Sequence, residues 1–166
     1  MNRLWVILLV SVCSCDVAPP LWEGTEAPKF DLETIAGTRL ASDQLQDDIV
    51  ILDFWATWCV PCIQEAPVLN ELTRTFGDRV KVVSICIQSG FLENILPRAS
   101  AMGLQFPVLI GDRATADAFG IRGLPTTFVI DRRWKVYRRY LGAGHKRELE
   151  DDIHKLTDES YALNRS

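Results

Sequence analysis

A chain of 166 residues with 48% hydrophobic side chains carries enough apolar material for one sizeable core and shows no sign of disorder. Its net charge of −4 weighs against a nucleic-acid partner, because a protein that binds the phosphate backbone carries a basic excess to displace counterions. One domain, spanning residues 27–158, is expected after a leader and a linker.

The chain opens with Arg3 and the apolar run Leu4 to Val12, the charged and hydrophobic parts of a secretory signal over residues 1–14. The run is too short for a bilayer, which needs about twenty residues. Val12-Cys13-Ser14-Cys15 resembles a bacterial lipoprotein box. Lipidation of Cys15 would tether the chain to a membrane surface by acyl chains, and ordinary cleavage after Ala18 is the alternative. Residues 15–26, with Pro19 and Pro20, read as a linker.

From Ala27 to Gln46 the pattern is a hairpin turning at Ala36-Gly37. Ile49 to Trp55 is a near-continuous apolar run of strand length, as expected for a strand covered on both faces. Helical spacing follows: Cys62, Ala66, Leu69, Leu72 and Phe76 share a face from about Cys59 to Phe76, and Gly77 terminates it. Pro67, deep in this helix, should kink it. Next come a strand from Val80 to Ile87, a helix from Glu93 to Met102, an apolar Phe106 to Ile110 and a short helix from Ala114 to Phe119. This alternation implies a parallel sheet. Pro125 opens a strand from Thr126 to Ile130, Asp131-Arg132-Arg133 turns, Trp134 to Leu141 returns, and His145 to Leu156 closes as a helix, leaving residues 159–166 as a tail.

Beyond Cys15 lie three cysteines, Cys59, Cys62 and Cys86, which is not the even, widely spaced set of a disulfide scaffold. Cys59 and Cys62 sit where a strand ends and a helix starts. A sulfur there meets unpaired backbone N–H groups and the positive end of the helix dipole, which favours the thiolate. Cys59 is thus the nucleophile. Cys62, one turn inside and less exposed, resolves a mixed disulfide by intramolecular attack. Pro61 in the first turn stiffens the loop at no cost in helical hydrogen bonds.

Zinc would need a second cysteine pair or histidines at ligand spacing. His145 and His154 read instead as solvated, and neither a metal nor a cofactor is called for. Asp53 interrupts the apolar strand, where burial should raise its pKa and suit it to proton exchange near neutrality; a structural ion pair is the rival reading. Glu65, one turn past Cys62, either faces the same thiol or is solvated. Cys86 is either a buried core cysteine or a third redox thiol. The basic residues Arg132, Arg133, Lys135, Arg138 and Arg139 read as a solvated edge that discourages strand pairing, with a docking patch for an acidic partner as the alternative. Trp58 and Trp55 suggest an apolar rim, with Trp55 packed toward the core.

Asp53-Phe54-Trp55-Ala56-Thr57-Trp58-Cys59-Val60-Pro61-Cys62, followed by Glu65 and Pro67, resembles the TlpA/ResA-like branch of the thioredoxin superfamily. Gly123-Leu124-Pro125-Thr126-Thr127 is similar to the second hallmark of that branch. The resemblance implies an α/β thioredoxin-like fold: a central mixed sheet flanked by helices, with an N-terminal β-hairpin and a central insert. It also implies a cis peptide before Pro125, which would lie against the cysteine pair and turn the Leu124 backbone toward an extended partner chain.

Trp58, Val60, Pro61, Leu124 and Pro125 are accordingly assigned to substrate binding, and Cys59, Cys62, Asp53 and Glu65 to catalysis. Two departures from the branch, Cys86 where Asn is common and Asp53 where many relatives have Asn, bear on the proton chemistry and the potential. The expected function is extracytoplasmic thiol–disulfide exchange in a bacterium, reducing partner-protein disulfides with electrons from an upstream thiol donor, including roles such as preparing apocytochrome c cysteines. A thiol peroxidase and a copper-delivery or binding module are the alternatives.

Overall fold

The computed structural model describes residues 23–163, with side chains to Asp158. The leader, Cys15 and the linker up to residue 22 lie outside the described residues. A two-stranded hairpin, β1 (Asp31–Glu33) and β2 (Arg39–Ala41), precedes a five-stranded sheet made of β3 (Ile49–Trp55), β4 (Val80–Cys86), β5 (Val108–Ile110), β6 (Thr126–Ile130) and β7 (Val136–Leu141). The helices are α1 (Val60–Phe76), α2 (Leu92–Ala101), α3 (Arg113–Ala118) and α4 (Lys146–Leu163).

The sheet order is β5-β4-β3-β6-β7. Pairing is parallel between β3, β4 and β5, but β6 runs antiparallel to β3, and β7 antiparallel to β6. The strands that alternate with helices, β3, β4 and β5, are parallel as that alternation suggests, and the antiparallel β6 and β7 complete the mixed sheet implied by the resemblance. The chain enters β6 at the end of the sheet where β3 finishes, so that Phe54 pairs with Thr126, and it must run back along β3.

Every residue of β3 is buried, in line with a strand covered on both faces. Ile49 and Ile51 pack with Leu69, Leu72 and Phe76 of α1 and Leu149 and Ile153 of α4. On the opposite face Val50, Leu52 and Phe54 join Phe30, Phe119 and Phe128. The rings of Phe54 and Phe119 lie 4.9 Å apart, within range of favourable aromatic contact.

Helix α1 continues through Pro67 and stops at Gly77, whose φ of 54° is tolerated by a residue without Cβ. Helix α4 extends past Leu156 to Leu163. Gly24, Thr25 and Glu26, in the stretch read as a linker, are held by the approach to β7: Gly24 N–H donates to the Val136 carbonyl and Val136 N–H to the Thr25 carbonyl.

The basic residues of the last hairpin are not a uniform solvated edge. Arg138 donates to buried Asp152 at 2.7 Å and to Glu23 at 3.1 Å, and the Arg139 guanidinium lies over the Phe128 ring. Asp152 also accepts from the Tyr140 hydroxyl at 2.6 Å. His145 is half-buried against the Tyr140 ring rather than solvated, because β7 leads directly into α4, whereas His154 is exposed and edges onto Phe76. No described helix is long and apolar enough to cross a membrane.

Candidate active site

Where β3 ends, residues Ala56 to Cys59 form a tight turn closed by the Cys59 N–H donating to the Ala56 carbonyl at 3.1 Å. Cys59 is the N-cap of α1, with Pro61 in the first turn, where its missing N–H leaves no helical partner unpaired. The two sulfurs are joined in a disulfide, with the Cys59 and Cys62 Cα atoms 5.4 Å apart. Cys62 N–H donates to Cys59 Sγ at 3.3 Å, so an orphan donor of the helix start points at the outer sulfur.

Both cysteines are buried, Cys59 at 3% exposure and Cys62 at 2%. The difference in exposure expected from the sequence is absent in the disulfide form, since each sulfur covers the other. Trp58 and Val60 flank the pair and are 61% and 64% exposed, forming an apolar rim. Trp55 is buried instead, its indole donating to Ser84 Oγ. The Leu124–Pro125 peptide is cis, and Leu124 packs against the cluster that contains both cysteines. Leu141, exposed and paired with Thr126 beside Pro125, adds a further exposed apolar side chain, and nothing in the pattern of its strand, Val-Tyr-Arg-Arg-Tyr-Leu, marks it in advance.

Two carboxyl groups are buried on β3 and α1, the elements that meet at the pair. Asp53 is buried on the α1 side of β3 and accepts from Thr127 Oγ1 at 2.9 Å. Burial pushes its pKa from 3.8 up to about 7; the Thr127 bond partly opposes this, and the charge of Glu65 adds to it. The rival reading of Asp53 as half of an ion pair is not what the fold builds, because its side-chain partner is a hydroxyl. Glu65 is also buried, not solvated, and its Oε2 accepts from the Gly144 N–H at 2.8 Å. Thr127 stands in the sequence only as part of the motif around Pro125, with nothing to mark it as a partner of Asp53, and Gly144 carries no signal.

Cys86 is a buried free thiol in β4, opposite Trp55. Burial raises its pKa to about 11, partly offset by the Ser89 hydroxyl and the Thr57 N–H, which suits a core cysteine and not a nucleophile. Among the described residues no group of His, Cys, Asp and Glu is arranged to hold a metal ion. An open groove of about 660 Å³ adjoins the turn, lined by Thr57, Trp58, Gln88, Ser89 and one face of α2.

A cysteine pair that closes at the head of a helix, on a thioredoxin-like sheet, defines a thiol–disulfide oxidoreductase. The chain belongs to the AhpC/TSA family, whose model matches residues 24–139. It is 32% identical over 133 residues to the thioredoxin-like protein YneN of Bacillus subtilis, covering 79% of this chain and 78% of that one. It is 30% identical over 166 residues to the thiol-disulfide oxidoreductase ResA of the same organism, covering 90% and 91%. A solved structure of a putative thiol:disulfide interchange protein DsbE from Chlorobium tepidum superimposes with a TM-score of 0.77 at 28% identity, over 82% of this chain and 98% of that one.

Proposed function

We propose that this oxidoreductase reduces disulfides of partner proteins outside the cytoplasm, with Cys59 as the attacking thiol. The observation that carries the reading is the position of Cys59 at the α1 N-cap, with the Cys62 N–H aimed at its sulfur and exposed Trp58 and Val60 on either side. In the reduced protein, the Cys59 thiolate attacks one sulfur of the partner disulfide, forming a mixed disulfide and releasing the other partner sulfur as a thiolate. Cys62 then loses its proton to the Asp53 carboxylate and attacks Cys59 Sγ, which expels the second partner thiolate and leaves Cys59–Cys62 oxidised. Two electrons pass to the partner, and an upstream thiol donor returns them.

Asp53 suits the proton step because a carboxyl that titrates near 7 can both accept and release a proton at physiological pH. Leu124 packs against the cluster that holds both cysteines, which supports a role for the Leu124–Pro125 backbone in pairing with an extended partner chain, and the groove beside Trp58 gives that chain room. Arg3 and the apolar run after it support export, and Cys15 is the residue a lipid anchor would use. A partner with two reactive cysteines, as in cytochrome c maturation, fits this chemistry.

Replacing Cys62 by Ala removes the resolving thiol, so a covalent complex with the partner accumulates through Cys59 in the native compartment and dissolves on reduction. Absence of that adduct would overturn the exchange mechanism, and peroxide consumption at rates above disulfide reduction would replace it with a peroxidase.

A further inference from the structure

The turn that presents Cys59 is anchored from the segment that follows β4. The Thr57 N–H donates to Ser89 Oγ at 2.9 Å, and the same hydroxyl donates to the Ile87 carbonyl at 3.0 Å. One side chain therefore ties the backbone two residues before Cys59 to the end of the neighbouring strand. A second tie runs beside it, from the Trp58 indole N–H to the Gln88 carbonyl at 3.1 Å. Gln88 holds a φ of 53°, a left-handed conformation disfavoured for any residue with a Cβ. Non-glycine residues persist there only when their surroundings fix them, and such places cluster at working sites.

We infer that Ser89, together with the Gln88 carbonyl, is a positioning residue that keeps Cys59 Sγ over the N-terminus of α1. The field of a helix terminus fades within one turn, so the reactivity of a sulfur held there depends on where the preceding loop places it. Thr57 and Ser89 are both half-buried. Removing the Ser89 hydroxyl takes the oxygen acceptor from the Thr57 N–H, leaving it only the weaker Cys86 sulfur, and takes a donor from the Ile87 carbonyl, so the Ser89 crosslink of the turn is lost. Ser89 acts only through the turn: the contacts of its hydroxyl are with backbone and Cys86, not with the reacting pair.

This inference rests on Cys59 being the attacking thiol, and one experiment separates the two. The reduced full chain is alkylated with iodoacetamide across a range of pH, and the modified cysteines are mapped by mass, for the wild type and for Ser89→Ala, Ser89→Thr and Trp58→Phe. Ser89→Ala is expected to move the pH midpoint of Cys59 alkylation up by roughly half a unit, which is about threefold slower reaction at pH values well below the midpoint, the size of one helix-terminus interaction. Ser89→Thr, which keeps the hydroxyl, restores the wild-type profile, and Trp58→Phe, which deletes the second tie, shifts the midpoint in the same direction as Ser89→Ala.

A wild-type midpoint in Ser89→Ala overturns the inference, even if its urea midpoint falls, because a purely structural role predicts that pattern. Should Ser89→Ala fail to fold, an unchanged midpoint in Trp58→Phe overturns it equally. Preferential alkylation of Cys62 in the wild type would instead overturn the assignment of Cys59.

Discussion

Asp53→Asn tests how the buried acid couples the site to stability. The substitution keeps shape and keeps an oxygen for the Thr127 hydroxyl, while removing the charge. In the unfolded chain the Asp53 carboxyl ionises near 3.8, and in the fold only near 7. Between those values the folded state holds a proton that the unfolded state has released, so the wild type loses stability as pH rises through the window. A window of about three pH units, at 1.36 kcal/mol per unit, makes the loss about 4 kcal/mol. Groups common to both proteins cancel in the difference. Urea unfolding of the oxidised wild type and of Asp53→Asn at pH 4, 5, 6, 7 and 8 should give stability curves that diverge by about 4 kcal/mol in favour of the variant, and run parallel above pH 7. Curves parallel across the whole range would refute the buried, protonated carboxyl and the proton step built on it.

Glu65→Gln removes the negative charge that opposes ionisation of Asp53, so the Asp53 titration followed by carboxyl carbon NMR should move below 7, whereas an unchanged midpoint would mean the two acids do not sense each other. Asp152→Ala leaves Arg138 and Tyr140 without their shared buried partner and should cost about 1.5 kcal/mol in urea unfolding, since Arg138 is part-exposed and keeps Glu23. Cys86, with its thiol raised to about 11, should stay unmodified when the folded protein is treated with iodoacetamide at pH 7, and Cys86→Ala should exchange disulfides at the wild-type rate.

Much of the site can be read along the chain because its chemistry is local. Cys59, Pro61 and Cys62 fall within one helical turn, and the apolar run ahead of them fixes the strand that delivers them, so sequence alone specifies a redox pair at a helix start. Burial of Asp53 is equally legible, since a lone acid in a strand covered on both faces has nowhere to meet solvent. The fate of Glu65 is different. Helical spacing places it one turn past Cys62, but its partner Gly144 is 79 residues away, and only the docking of the β7–α4 connection onto α1 buries it.

The same division holds for the rest of the molecule. Local patterning determined the elements, the hairpin turn at Gly37, the stop at Gly77 and the nature of the cysteine pair, because hydrophobic period, capping and turn chemistry act over a few residues. Tertiary structure alone decided that β6 runs against β3, that Thr127 rather than a cation meets Asp53, and that Ser89 reaches the Thr57 backbone. Those contacts join residues far apart in the chain, and no short-range preference encodes a partner that arrives only when the core closes.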